Sequence, residues 1–367
     1  LRYLRTRYIA LASIISVTLG VATMVVVNSV MAGFTAEMQD RIHGILSDVV
    51  FESRSLSGFR DPDWHMQQIE RVAGQYIAGM TATVHVPAML SFRYGEQSIT
   101  HPVQLVGVDA ATAGGVADLT KYLQHPENRE QLSWQLHDGG YDVRPPEASP
   151  DAPSREILET SGWPHRRRRA ERDRIYREQL AEQPLGTSTT PETDTTNPFE
   201  AGGAPAIAQD QLFDPATEQH DGLLLGIAIA SFRSSDGKDH FVALPGDDVV
   251  LSYPTAATPP EIVSLDFTVV DLYESRMSEY DASFVFVPLE VLQRTRGMID
   301  PSSGIGNATA MQIKLHRDAD GPVVRDLLRG AFPGEIYAIH TWRDKQGPLL
   351  AAVQLEKRIL NLLLFLI

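Results

Sequence analysis

The chain of 367 residues contains no cysteine, which excludes structural disulfides, thiolate nucleophiles and cysteine-held metals. Charge is also missing where it is most informative, because no charged residue occurs from Tyr8 to Ala36. A run of that length is enough to cross a bilayer core of about 30 Å. A phosphate-binding loop is absent: Gly237-Lys238 is followed by Asp239 and has no glycine five residues earlier, so the chain binds no nucleotide by that device. There is no H-E-x-x-H helix and no G-x-S-x-G elbow. The eleven histidines are scattered, without ligand-like partners at helical or hairpin spacing. His43 reads as a surface residue, and His85 and His101 as strand residues. No catalytic, cofactor or metal site is expected.

What is present begins with three basic residues, Arg2, Arg5 and Arg7, ahead of the uncharged run. A secretory signal would have a shorter apolar core and a small-residue cleavage site. Here the run continues without a break into a helical pattern, so it reads as a retained membrane helix. The positive-inside rule places its N-terminus in the cytoplasm. The net charge of −15 is strongly segregated: residues 1–36 carry +3 and residues 356–358 carry +1, leaving −19 in between. An acidic extracytoplasmic region repels nucleic acid and anionic headgroups, so no nucleic-acid partner is expected.

Beyond the span, Phe34, Met38, Ile42, Ile45 and Val49 recur at helical spacing and predict an amphipathic stalk. "SDVVFES" then reads as a strand, "DPDW" as a helix start with Asp61 as N-cap and Pro62 in the first turn, and "TATVHVPAMLSF" and "SITHPVQLVGVD" as strands. From about Lys121 to Asp221 the chain collects Pro, Gly, Thr, Glu and Gln and is expected to be mostly disordered. Within it, "HRRRRAERDRIYREQL" reads as a solvated, salt-bridged helix rather than a nucleic-acid patch. Strands return from Gly222, and a final strand-helix-strand unit leads to "QLEKRILNLLLFLI". That apolar run reads as the start of a second membrane helix, and the chain as a piece of a longer membrane protein.

Three stretches carry a resemblance to a known family. They are "LRYLRTRYIALASIISVTLGVATMVVVNSVMAGFTAEMQDRI" (1–42), "FTVVDLYESRMSEYDASFVFVPLEVLQRTRGM" (267–298) and "IHTWRDKQGPLLAAVQLEKRILNLLLFLI" (339–367). Together they resemble the permease subunits of Lol-type (LolC/LolE-like) lipoprotein-releasing ABC transporters, within the FtsX/MacB-like permease superfamily. The resemblance implies an α+β chain with a transmembrane helix and stalk below a periplasmic MacB-like core. That core would have a split α/β porter-like domain and an inserted β-rich sabre-like domain, to which this chain adds a long disordered insertion.

The implied boundaries are a cytoplasmic lead-in at 1–7, membrane helix 8–33, stalk 34–46, porter-like domain 47–110 with 305–341, and sabre-like domain 111–120 with 222–304. The insertion is 121–221, the return stalk 342–358, and the second membrane helix begins at 359–367. The implied location is a bacterial inner membrane, with residues from about 34 to 355 periplasmic. The implied partners are a cytoplasmic ATPase subunit that binds ATP-Mg, a second permease copy or paralogue, an acylated lipoprotein, a periplasmic lipoprotein carrier and the bilayer.

By motif match, Val27, Val30, Met31 and Phe34 would help line a lipoprotein cavity. Arg2, Arg5, Arg7, Trp342, Lys357 and Arg358 would be interface anchors, consistent with indole anchoring and cationic snorkelling. Tyr253, Pro254, Pro259 and Pro260 fall where the family's carrier loop would lie, although the loop is shorter here. Two other classes compete: an FtsX-like scaffold that regulates a cell-wall hydrolase, and a two-helix sensor with a periplasmic ligand-binding domain.

Overall fold

In the computed structural model the uncharged run and the pattern after it form one helix, α1 (Arg2–Ile45). The structure describes residues 2–45, 47–94, 97–116, 118–141, 155–182, 213–235, 239–275, 277–345, 347, 351, 355–356 and 358–359. At 1.5 Å per residue α1 is about 66 Å long, and Ile14–Gly33 is apolar enough to cross a membrane. Its hydroxyls do not interrupt it. Thr18 donates to the Ile14 carbonyl at 2.7 Å and Thr23 to the Leu19 carbonyl at 2.8 Å, which satisfies them inside the helix.

Two compact units follow. The first comprises residues 1–84, 111–119 and 299–367. Its sheet is ordered β11 (Tyr337–Thr341), β1 (Val49–Ser53), β10 (Ala310–Leu315) and the first half of β2 (Ile77–Tyr94). The helices α2 (Pro62–Ala73) and Gly321–Ala331 supply apolar side chains to its core. Asp61 caps α2 as expected, its carboxylate accepting from the Trp64 N–H at 3.0 Å, with Pro62 in the first turn. Ile69, Val324, Leu328, Met311, Ile313 and Ile339 fill the core around Phe51, whose ring meets Phe332 edge-on at 4.9 Å.

The second unit comprises residues 85–110 and 120–298. It contains the second half of β2, β3 (Gln97–Val108), β4 (Asp221–Gly226), β7 (Asp248–Pro254), β8 (Ile262–Tyr273) and β9 (Phe284–Pro288). The order β2-β3-β9-β4-β8-β7 closes on itself, because β7 pairs back onto β2 with Met89 opposite Ser252. The result is a six-stranded barrel. A small separate ribbon joins β5 (Ser231–Arg233) and β6 (Asp239–Phe241).

This corrects the expected architecture. The strands at 97–108, assigned from sequence to an α/β porter-like domain, pair in parallel with β9 from the supposed inserted β domain. Both belong to one barrel. The physical reason lies in β2: at 18 residues it exceeds the usual strand length of about 3–10 residues, long enough to serve one sheet with its first half and another with its second. Among the described residues one helix, with Ile14–Gly33 as its span, is long and apolar enough to cross a bilayer, so no multi-span stalk is found there; the return stalk at 342–358 and the second membrane helix from 359 lie largely outside the described residues.

The insertion is corrected in part. Residues 121–141, 155–182 and 213–221 are ordered, and Leu123, Leu132, Leu136, Tyr141 and Leu158 are buried. A few well-placed apolar residues suffice when a preformed barrel wall receives them. Leu123 bridges to Tyr273 of β8, and the Tyr141 hydroxyl donates to the Val270 carbonyl at 2.8 Å. The expectation for residues 142–154 and 183–212, including "GTSTTPETDTTNPFEAGGAPAIAQ", lies outside the described residues. The arginine-rich helix is Trp163–Glu182. Its first turns dock rather than float, with Arg166 buried and bonded to Asp248 at 2.6 Å and His165 on Asp247 at 2.6 Å. Its later turns carry the expected surface pairs, Arg174 with Glu171 and Glu178.

Candidate functional site

The membrane-facing candidates lie on α1. Val27, Val30, Met31 and Phe34 are spaced i, i+3, i+4 and i+7, which sets them along one stripe of the helix. Val30 is 65% exposed, and Val27 and Met31 are partly exposed. Phe34 lies within α1 with its side chain outside the described residues, as do those of Arg2, Arg5 and Arg7. At the other end Arg358 is helical and exposed, and Lys357 is outside the described residues.

Trp342 has a definite setting. It follows β11 directly and starts a short helix, Trp342–Lys345. Its backbone N–H donates to the Asp48 carbonyl at 3.2 Å, three residues after α1 ends. The buried Asp48 carboxylate accepts from the Leu315 N–H at 2.7 Å. Lys345 pairs with Glu52 of β1, and Asp344 bonds Arg325 at 3.0 Å and the Thr341 N–H at 2.9 Å. The segment that follows α1 and the segment that follows β11 thus lie side by side at the edge of the sheet.

The expected carrier loop is the β7–β8 hairpin. Tyr253 is buried, and its hydroxyl lies 2.8 Å from that of Thr295. The Pro254 carbonyl accepts from the buried Arg296 side chain at 3.0 Å. Only the tip, with Pro259 and Pro260, is exposed. Sequence placed these four residues together, and the structure divides them into a fastened root and a free tip.

The block 267–298 acts as a lock on the barrel. The Tyr273 hydroxyl lies 2.7 Å from the Tyr280 carbonyl and 2.9 Å from that of Phe284. Asp281 accepts from the Ser275 N–H at 2.9 Å and from its hydroxyl at 2.6 Å. Gly226 passes so close that a Cβ there would sit 2.0 Å from the Asp281 carbonyl oxygen.

One cluster escaped sequence reasoning. His125, Glu127 and His137 bring three ligand-capable atoms within 4.8 Å of one another. The histidine rings stack at 3.7 Å, tilted by 5°, and His137 Nδ1 lies 3.3 Å from Glu127 Oε2. Behind them the buried Asn128 donates to Asp271 at 2.8 Å and accepts from the Ser133 N–H at 3.3 Å. Burial pushes the Asp271 carboxyl up to about 6, against the hydrogen bonds from Asn128, Leu272 and His125 that pull it down. Burial also lowers both histidines, His125 further through its neighbour His137. Gly140, at φ +90°, is needed here because a Cβ would press to 3.0 Å from His125 Nε2. A twelve-residue separation across an irregular loop carries no periodic signal, so sequence could not pair these histidines.

Comparison with protein-family models and with curated proteins gives no match.

Proposed function

We propose that this chain is the permease subunit of an ABC transporter that releases or exports lipoprotein from a bacterial inner membrane. Mechanical coupling to ATP hydrolysis in a separate cytoplasmic subunit would drive it. The observation that carries this reading is the adjacency of the incoming and outgoing chain, Asp48 beside Trp342, at the end of a 44-residue helix whose span is apolar and exposed. A head moved from the cytoplasmic side needs its connecting segments to act on one place, so that displacement of a helix is transmitted and not absorbed by intervening loops.

On this reading Val27, Val30, Met31 and Phe34 offer acyl chains an adaptable apolar stripe, to which the flexible Met31 side chain is suited. The exposed tip at Pro259 and Pro260 is the part of the β7–β8 hairpin open to a periplasmic carrier. ATP-Mg belongs to the partner ATPase, and a second copy or paralogue completes the cavity. Arg2, Arg5 and Arg7 anchor the cytoplasmic side, and Trp342, Lys357 and Arg358 the outer interface.

The test has two arms. A Ser57→Cys variant, unique in a chain without native cysteine, should react with a membrane-impermeant maleimide in intact spheroplasts. Reaction only after lysis would end the reading. The full-length subunit, purified with its ATPase, should carry acylated lipoprotein detectable by mass spectrometry. Bound hydrolase without lipid would favour the scaffold instead.

A further inference from the structure

The arginine-rich helix Trp163–Glu182 carries seven arginines against four acids, in a chain whose net charge is −15. The wider field of the protein repels anions, so this helix is a local reversal of sign. Beside its first turns lies a cleft of about 690 Å³, lined from the helix by Arg167, Arg168 and Arg172 and from the neighbouring turn and loop by Ile157, Thr160 and Leu244. None of the three arginines is locked in a buried ion pair. Arg168 Nη2 donates to the Thr160 carbonyl at 2.8 Å, a neutral acceptor. Arg167 lies over the Trp163 ring at 5.6 Å and reaches Asp138 only at 3.7 Å, with both charged side chains exposed. Arg172 has no hydrogen-bond or carboxylate partner among the described residues. Glu171, the acid at the rim, is engaged by Arg174 at 2.8 Å. The walls are also held to one another, because the Asp247 carboxylate accepts from the Leu244 N–H at 2.9 Å and bonds His165 of the helix at 2.6 Å. The cleft is therefore preformed, which lowers the ordering cost of filling it.

We propose that this cleft binds one phosphomonoester amphiphile per chain, with Arg167, Arg168 and Arg172 holding the phosphate and Ile157 and Leu244 the apolar part. Its volume falls within the range of about 300–1,000 Å³ typical of small-molecule sites. Guanidinium forks match phosphate oxygens in geometry as well as charge. Arg168 and Arg172 stand one helical turn apart on the same face, so both can reach a single group. Three cations suit a phosphomonoester, which carries about −1.5 to −2 charges, better than they suit a lone carboxylate. The opposite wall asks for something else. Ile157 leaves 46% of its surface in water, and an apolar chain laid against it would remove that area from solvent. A bare phosphate would leave that wall wet. The site lies within residues 121–221, outside the stretches that carry the permease resemblance, so it stands independently of that reading.

Calorimetric titration of the full chain, held in phosphatidylcholine nanodiscs, with dihexanoyl phosphatidic acid tests the site. One equivalent should bind saturably per chain. Arg172→Gln and Arg168→Gln alter exposed side chains and should each weaken binding about tenfold with unchanged circular dichroism. Arg177→Gln removes the same charge farther along the helix, away from the cleft, and should bind as wild type does. Dihexanoyl phosphatidylcholine, which has the same chains, and inorganic phosphate, which has none, should each bind about tenfold more weakly or worse. Absence of saturable binding overturns the proposal, as does binding that both Arg168→Gln and Arg172→Gln leave unchanged. An equal loss in Arg177→Gln would reduce the effect to the general field of the helix and overturn it as well. Equal affinity for inorganic phosphate would show the apolar wall to be unused, equal affinity for the phosphatidylcholine would show the same of the arginines, and either result overturns the assignment.

Discussion

The backbone N–H of Trp342 donates to the carbonyl of Asp48 at 3.2 Å, so the residue just after β11 is bonded to the one just before β1. The antiparallel ladder between β1 and β11 continues from there, with Glu52 opposite Ala338. A Glu52→Cys/Ala338→Cys pair should form an intrachain disulfide on mild oxidation, since facing strand positions lie within disulfide reach. Non-reducing mass spectrometry after proteolysis would detect the linked peptides. Failure to crosslink under oxidant, with both thiols still titratable, would contradict the register.

Phe51 sits at the centre of an aromatic cluster, edge-on to Phe59 at 5.7 Å and to Phe332 at 4.9 Å. Phe51→Ala should cost roughly 3–5 kcal/mol in denaturant unfolding of this unit, with Phe51→Leu costing less. A loss under 1 kcal/mol for the alanine variant would show that the cluster does not form.

Acid should loosen the segment after β11. Burial would raise the Asp344 carboxyl, but bonds from the Thr341 N–H and from Arg325 outweigh it and hold it at about 2. A carboxyl lowered on folding contributes stability that is present above the unfolded value near 4 and disappears as pH falls through about 2. Melting temperatures of the wild type and of Asp344→Asn should therefore differ at pH 5 and converge towards pH 2. A gap that persists at pH 2 would exclude this carboxylate as the cause.

Gly226→Ala tests the barrel lock. The added methyl meets the Asp281 carbonyl oxygen at 2.0 Å and the Tyr273 hydroxyl at 3.1 Å, so either β4 or the Tyr280–Asp281 turn must shift. Destabilisation of about 1–3 kcal/mol is expected, read from urea midpoints. Gly330→Ala, whose Cβ would meet nothing within 4 Å, should be neutral or slightly stabilising by comparison.

Much of this was readable in the residues. The uncharged run announces α1 because hydropathy over 20 residues is a local property. Asp61 and Pro62 announce α2 because capping involves atoms only three residues apart. The chemistry of 267–298 is harder to read: the block is recognisable as a string, yet its meaning is the contact of Ser275 with Asp281 and of Tyr273 with Tyr280. The histidine pair at 125 and 137 was invisible because a loop, with no fixed period, brings it together.

The local sequence therefore determined a membrane-length helix, a cysteine-free acidic region and a succession of strands, since each depends on neighbours in the chain. The tertiary structure decided which strands meet. Closing the barrel requires Met89 to find Ser252 and Leu105 to find Val285. Docking the insertion requires Asn128 to find Asp271. Pairings over such separations depend on shape and on satisfying buried polar groups in three dimensions, for which no linear pattern encodes the partner.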